Sequence, residues 1–266
     1  MTFKILLSTA VWGEDYLEIF LEYTLKSLLK SRNLLNKEIS RNSEYLIYTK
    51  NEHINAIKNH KNFKLLKKEF KISFFDFKKL NITNKYSSLK IFQNSSIKYG
   101  YKNKFEYFSF IYPDSVFGDN HFATLLSKIK KGSKIVMCPG PLGIYENFYK
   151  SFKNKEINNK NLSEFIIENL HPFYKSFIYN SKKSRISIIE NKEENYQIYK
   201  CLDLHPAIIS FSIKNLKVIN TIDEDILNNN EILLKDIGYL NFSNEGIIIT
   251  LESFDSNRAQ VLKNHF

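Results

Sequence analysis

The residues best suited to chemistry stand in Phe105 to His121, F-E-Y-F-S-F-I-Y-P-D-S-V-F-G-D-N-H, where an aromatic run breaks into a proline and two acids. A carboxylate at the mouth of a buried strand needs a partner, because burying an unpaired charge is costly. Asp114 is therefore expected to meet a metal ion or a diphosphate. Asp119 reads either as a further carboxylate of that site or as the cap of the helix that follows. His121, on the first turn of that helix, would point into the same mouth. The second focus is His205 in C-L-D-L-H-P-A-I-I-S. A residue before proline is held extended, which fixes its side-chain direction. An imidazole so placed can ligate a metal or bind a phosphate, or it can serve as a half-buried histidine bonded to a carbonyl. Asp203 would share its face by strand alternation. His171 also precedes a proline but ends a predicted surface helix and ranks below His205.

The elements that must position these groups read as alternating strands and helices. Phe105 to Tyr112 is apolar throughout, as a central strand buried on both faces would be. Pro113 cannot donate to a ladder and stops it, so Asp114 falls at a strand's carboxyl end, where ligands bind in open α/β sheets. Further strands are expected at Lys4 to Val11, Glu44 to Thr49, Lys71 to Phe77 and Lys134 to Cys138, with helices at Tyr16 to Lys30, His53 to His60 and Asn84 to Tyr101. Such alternation specifies βαβ units, a Rossmann-like and mainly parallel sheet through about Pro141. Parallel strands share one carboxyl edge, so Ser8, Thr9, Trp12, Gly13, Tyr48, Thr49, Asp76 and Asp114 are expected to form a cleft. Trp12 would stack there on a base or ribose, or plug the first helix from below.

The second half reads as an α+β part, continuous with the first: residues 1–141 form one half and 142–266 the other. Lys150 to Lys160 is expected to be a surface loop. Asn161 and Glu164 would open a helix as a capping box. Ile208 to Ile213, Lys217 to Asn220 and Gly246 to Glu252 read as strands. The acidic Thr221 to Asp225, T-I-D-E-D, reads first as a helix start and alternatively as an acceptor or metal site.

Composition narrows the class. The chain has 266 residues, 43% of them hydrophobic and 15% aromatic, enough for a full core. Cys138 and Cys201 lack metal spacing and read as buried thiols of a cytoplasmic protein. The amino terminus reads as a strand rather than a leader, and no apolar run approaches the roughly 18 residues of a membrane span. The net charge of +11 comes from lysines spread along the chain. That distribution argues against a specific nucleic-acid site and for a modest, salt-sensitive attraction to the inner face of an anionic membrane. No Walker loop, G-x-G-x-x-G, H-E-x-x-H, G-x-S-x-G or paired C-x-x-C occurs, so the familiar dehydrogenase, zinc and hydrolase signatures are absent.

The stretches S-T-A-V-W-G-E-D-Y, Y-L-I-Y-T, Y-P-D-S-V-F-G-D-N and L-H-P-A, in this order, resemble glycosyltransferases of the GT-A type, the nucleotide-diphospho-sugar transferase fold. The amino-terminal W-G-E-x-Y-x-x-x-F-L-x-x-T-L-x-S-L-L pattern is similar to a group of bacterial glycosyltransferase-like proteins. The resemblance implies a nucleotide-sugar donor, a divalent cation (Mn or Mg) on its diphosphate, and a glycan, lipid-linked or protein acceptor, as in polysaccharide biosynthesis. It implies Asp114 as the acidic ligand, Asp119 as a second member, and His205 as the late histidine of the metal shell. Ser115 and Val116 depart from the usual Asp-x-Asp. Transfer with inversion would need a carboxylate base, for which Glu146, Asp223 and Asp225 are candidates. The rival reading is a non-catalytic binding or assembly protein on the same fold.

Overall fold

The computed structural model describes residues 2–39, 41–76, 85–175, 186–191, 196–201, 204–228, 232–240 and 245–254. Asp203 lies outside the described residues, as does the end of the expected third strand at Phe77. The strands are β1 (Ile5–Val11), β2 (Glu44–Thr49), β3 (Lys71–Asp76), β4 (Tyr107–Phe110), β5 (Ser115–Phe117), β6 (Ile135–Pro139), β7 (Leu142–Ile144), β8 (Ile186–Asn191), β9 (Tyr196–Cys201), β10 (Leu204–Ser210), β11 (Ile237–Tyr239) and β12 (Ile248–Glu252).

Seven of them form one sheet in the order β11-β6-β10-β4-β1-β2-β3. All neighbours pair in parallel except β10, which runs against both β4 and β6. This is a Rossmann-like, mainly parallel α/β sheet, and the second half of the chain supplies β10 and β11 to it. A second sheet has the order β5-β12-β7, and β8 pairs with β9 as a hairpin.

Why β1 lacks alternation is visible in its packing. Ile5, Leu7 and Val11 join one core layer and Leu6 and Ala10 the other, so both faces of the strand are apolar. The first layer holds Phe63 and Leu66 from the helix Lys61–Glu69 and Leu125 and Ile129 from the helix His121–Lys130. Across the sheet, Phe92 and Ile97 of the helix Lys85–Lys102 cover the second layer. A third cluster packs Phe148, Phe152 and Phe165 beside the small sheet.

Several expectations need correction. The helix after β1 begins at Glu14 and contains a π-helical turn, Phe20–Thr24, before ending at Leu28. A second helix, Lys61–Glu69, follows Asn51–Asn59 because His60 breaks the first and caps the second, its Nδ1 accepting from the Asn62 N–H at 3.3 Å. Lys150 to Lys160 is not one loop. Phe148 and Phe152 stack at 4.3 Å on the helix Tyr145–Phe152, and Ile157 is buried. Asn158, rather than Asn161, caps the next helix, accepting from the Asn161 N–H at 2.8 Å. Lys217 to Asn220 is no strand, since the Asn94 side-chain amide takes both backbone groups of Val218, at 2.8 and 2.9 Å. Among the described residues no helix is long and apolar enough to cross a membrane.

Candidate functional site

A cavity of about 600 Å³ opens at the carboxyl edge of the large sheet. Its wall includes Ala10 near the end of β1 and Trp12 after it, Tyr112 and Asp114 after β4, Gly140 after β6, and His205 at the start of β10. Antiparallel β10 brings its amino-terminal end to this edge, with Leu204 opposite Pro139 and His205 opposite Cys138. A proline in a central strand is tolerated at a bulge, and the register shifts between Pro206 and Ile208.

Asp114 is buried, 7% exposed, and its backbone is clamped from two sides. Thr24 Oγ1 donates to the carbonyl of Pro113 at 2.7 Å, and the Leu251 N–H donates to the carbonyl of Asp114 at 2.8 Å. Ser27 and Asn33 continue the clamp: Ser27 Oγ accepts from the Phe117 N–H at 3.1 Å, and Asn33 Nδ2 donates to the Gly118 carbonyl at 2.7 Å. Buried hydroxyls and amides at the end of the first helix thus fix the acidic turn.

His205 Nδ1 lies 3.0 Å from Asp223 Oδ2. Asp223 stands in the first turn of the helix Ile222–Leu227, whose cap Thr221 accepts from the Glu224 N–H at 3.3 Å. The helix-start reading of T-I-D-E-D is therefore correct, and two of its acids, Asp223 and Glu224, also line the cavity. Gly140 makes room for the imidazole, since a Cβ there would sit 2.7 Å from His205 Cδ2. In the wall, burial pushes the Tyr112 phenol up, and the Asp223 and Asp114 carboxylates push it further. Glu224 and Glu252 line the same space, against Lys90. A carboxylate-rich cavity thus sits in a chain of net charge +11.

Of the residues singled out from sequence, Asp114, His205, Trp12 and Asp223 line this cavity, while Thr9, Gly13, Tyr48, Thr49, Asp119, Glu146, Asp225 and His121 do not. Thr9 is fully buried on a strand whose neighbours Ala10 and Trp12 take the cavity side. Gly13, at φ +84°, serves the turn into the first helix. Tyr48 is packed between Phe75 and Phe92, and Thr49 is fully buried. Asp119 forms an ion pair with Lys30 and exchanges hydrogen bonds with Asn159. The cap position of His121–Lys130 belongs to Asn120, with no side-chain capping bond. Glu146 accepts from Ser253 Oγ and the Phe254 N–H, bonds that hold its carboxyl below the usual range despite partial burial. Asp225 accepts from the Asn220 N–H at 2.9 Å. His121 is a core residue between Phe117 and Phe122, its pKa lowered to about 4 by burial. His171 is likewise buried rather than on a surface helix, with Nε2 3.1 Å from the Ser253 carbonyl. Asp76 accepts from Asn51 at the far end of β3.

Glu252 and Lys90 had no motif to mark them, whereas Glu224 lies in T-I-D-E-D; Glu252 could have been found as the last residue of a strand. Among the described residues no three His, Cys, Asp or Glu side chains gather closely enough to hold a metal ion. A cation shared with a diphosphate would need only one or two protein carboxylates, and Asp114 is a carboxylate that lines the cavity.

No family model matches the chain, and no curated protein does. Solved structures are similar in fold at low identity. One is TarS residues 1–349 from S. aureus, 10% identical over 52% of this chain and 36% of that chain, with a TM-score of 0.35. This chain therefore spans little more than a third of that structure. Another is 4-diphosphocytidyl-2C-methyl-D-erythritol synthase from Anaerococcus prevotii, 9% identical over 99% of this chain and 98% of that one, TM-score 0.42. A third, described as a glucose-1-phosphate thymidylyltransferase from Bacillus anthracis in complex with sucrose, is 12% identical over 93% and 89%, TM-score 0.40.

Proposed function

We propose that the protein is a glycosyltransferase that moves a sugar from a nucleotide-sugar donor to a glycan, lipid-linked or protein acceptor. One observation carries this reading: Asp114, the His205–Asp223 pair and Trp12 all line the one cavity at the sheet's carboxyl edge. Trp12 offers an aromatic face to the base or ribose. Asp114 faces the diphosphate. In transfer, an acceptor oxygen bonds to the anomeric carbon while the carbon–oxygen bond to the diphosphate breaks, and the nucleoside diphosphate leaves with the electron pair. Of the three carboxylates considered as base, Asp223 is the one in the cavity wall, and Glu146 and Asp225 are engaged elsewhere.

The excess of carboxylates repels a bare diphosphate, since like charges in a partly buried site are weakly screened. Donor binding is therefore expected to require Mg²⁺ or Mn²⁺ carried on the diphosphate, whose role is to neutralise the leaving group's charge. The second reading is a binding or assembly protein. It is favoured by the pairing of Asp119 with Lys30, which leaves Asp114 without that acid beside it.

Thermal unfolding in a panel of nucleotide sugars, with and without each cation, tests the proposal. A ligand at about 100 times its dissociation constant adds roughly 2.7 kcal/mol. If no nucleotide sugar raises the midpoint with either cation, the reading fails. Binding without release of nucleoside diphosphate, even with candidate acceptors, favours the second reading.

A further inference from the structure

Lysine is denser in residues 58–71, N-terminal to and along β3, than the spread-out charge of the chain suggests: six lysines stand there against the single acid Glu69. The structure gathers part of this run on one surface. In the helix Lys61–Glu69, Asn62, Phe63 and Leu66 are buried. Lys61, Lys64, Leu65 and Lys68, at helical spacings of three and four, stand on the outward side and are exposed, with Lys67 beside them. Leu65 is 48% exposed among these lysines. Lys61 has Glu22 at 3.7 Å. Among the described residues, Lys64, Lys67 and Lys68 have no carboxylate within ion-pair distance. The helix cannot roll, because Asn62 Nδ2 donates to the Leu21 carbonyl at 2.8 Å and Phe63 and Leu66 are set in the core.

We infer that this face docks the protein on an anionic lipid surface. The lysines complement a layer of negative headgroups, and Leu65 enters the boundary between headgroups and acyl chains. Nucleic acid would satisfy the lysines but leave Leu65 in water, so the leucine decides between the two polyanions. The helix packs on the core layer of Leu7 and Ile47, whereas the cavity opens on the layer of Ala10 and Phe92. A bilayer held by this helix therefore leaves the cavity uncovered. The docking does not depend on what the cavity binds.

The test is co-sedimentation of the whole protein with phosphatidylcholine vesicles, with and without phosphatidylserine, at low and high salt. Wild type should sediment with the phosphatidylserine vesicles at low salt and be released at high salt. Lys64→Glu/Lys68→Glu should lower that affinity by at least about tenfold. Lys131→Glu/Lys235→Glu, with the same change in net charge, should lower it far less. Leu65→Ser should weaken binding while leaving the salt dependence in place. Circular dichroism melts establish that each variant is folded. No vesicle binding by wild type, equal binding to uncharged vesicles, or equal losses in the two double variants would each overturn the inference. So would a single-stranded oligonucleotide bound more tightly than the vesicles and indifferent to Leu65→Ser.

Discussion

Asp223 Oδ2 lies 3.0 Å from His205 Nδ1, a bond that joins the first turn of a helix to the one strand that runs against the rest of the large sheet. A carboxylate on one imidazole nitrogen sets the tautomer and the ring's direction. Both side chains are a little over a quarter exposed, so the pair should add little to stability, about 1 kcal/mol or less. Asp223→Asn is accordingly expected to leave the urea midpoint nearly unchanged. If the cavity is the donor site, calorimetry should nonetheless show weaker nucleotide-sugar binding. An unfolding midpoint shifted by several kcal/mol would mark the pair as structural.

Asp114 and His205 come from different halves of the chain and line the same cavity. If they act on one diphosphate as a unit, their effects should be non-additive. Asp114→Ala and His205→Ala should each abolish the ligand-induced rise in melting temperature, and the double variant should be little worse than either. Unchanged affinity in Asp114→Ala would remove the central residue of the proposed function.

The sheet was legible because its strands are apolar on both faces and end in turn formers. β2 was read to the residue, and β1 and β6 to within one. The small sheet was not, because β5 and β7 are three residues each, too short for a period. For the site, Asp114 and Trp12 were legible as strand ends, and His205 through its proline. Thr9, Tyr48 and Thr49 were placed at the correct edge, but the edge does not say which side of the sheet a side chain takes or what covers it. Asp119 was read as a carboxylate of the site or a local helix cap, whereas partners far along the chain, Lys30 and Asn159, hold it.

Gly140 lies against the His205 ring without a strained backbone angle. A methyl group there would meet His205 Cδ2 at 2.7 Å, so Gly140→Ala should push the imidazole aside rather than unfold the protein. Its expected signature is a His205→Ala-like loss of ligand binding with a small change in melting temperature. Full affinity in this variant would show that the ring's position is immaterial.

Asp119 is the control for the carboxylates in the cavity. Its partners, Lys30 and Asn159, tie the turn after β5 to the chain just past the end of the first helix and to the start of the helix Asn159–Glu168. The carboxylate is 41% exposed, so removing it should cost about 1 kcal/mol or less. Asp119→Ala should therefore lower the urea midpoint slightly and leave nucleotide-sugar affinity unchanged. A loss of affinity as large as that of Asp114→Ala would restore Asp119 to the site.

His121 supplies a pH dependence independent of the site. Burial between Phe117 and Phe122 lowers its pKa from 6.5 to about 4. Between those values the unfolded chain binds a proton that the folded chain refuses. Stability from this residue is therefore fully present above pH 6.5, falls as pH drops toward 4, and levels off below. A shift of this size corresponds to about 2 kcal/mol lost between pH 7 and pH 5. His121→Leu keeps an apolar group between the two rings and removes the titration. Urea unfolding at both values should show the variant losing about 2 kcal/mol less than wild type over this interval, whatever its stability at pH 7. Parallel losses in the two proteins would mean that His121 takes up its proton without unfolding the core.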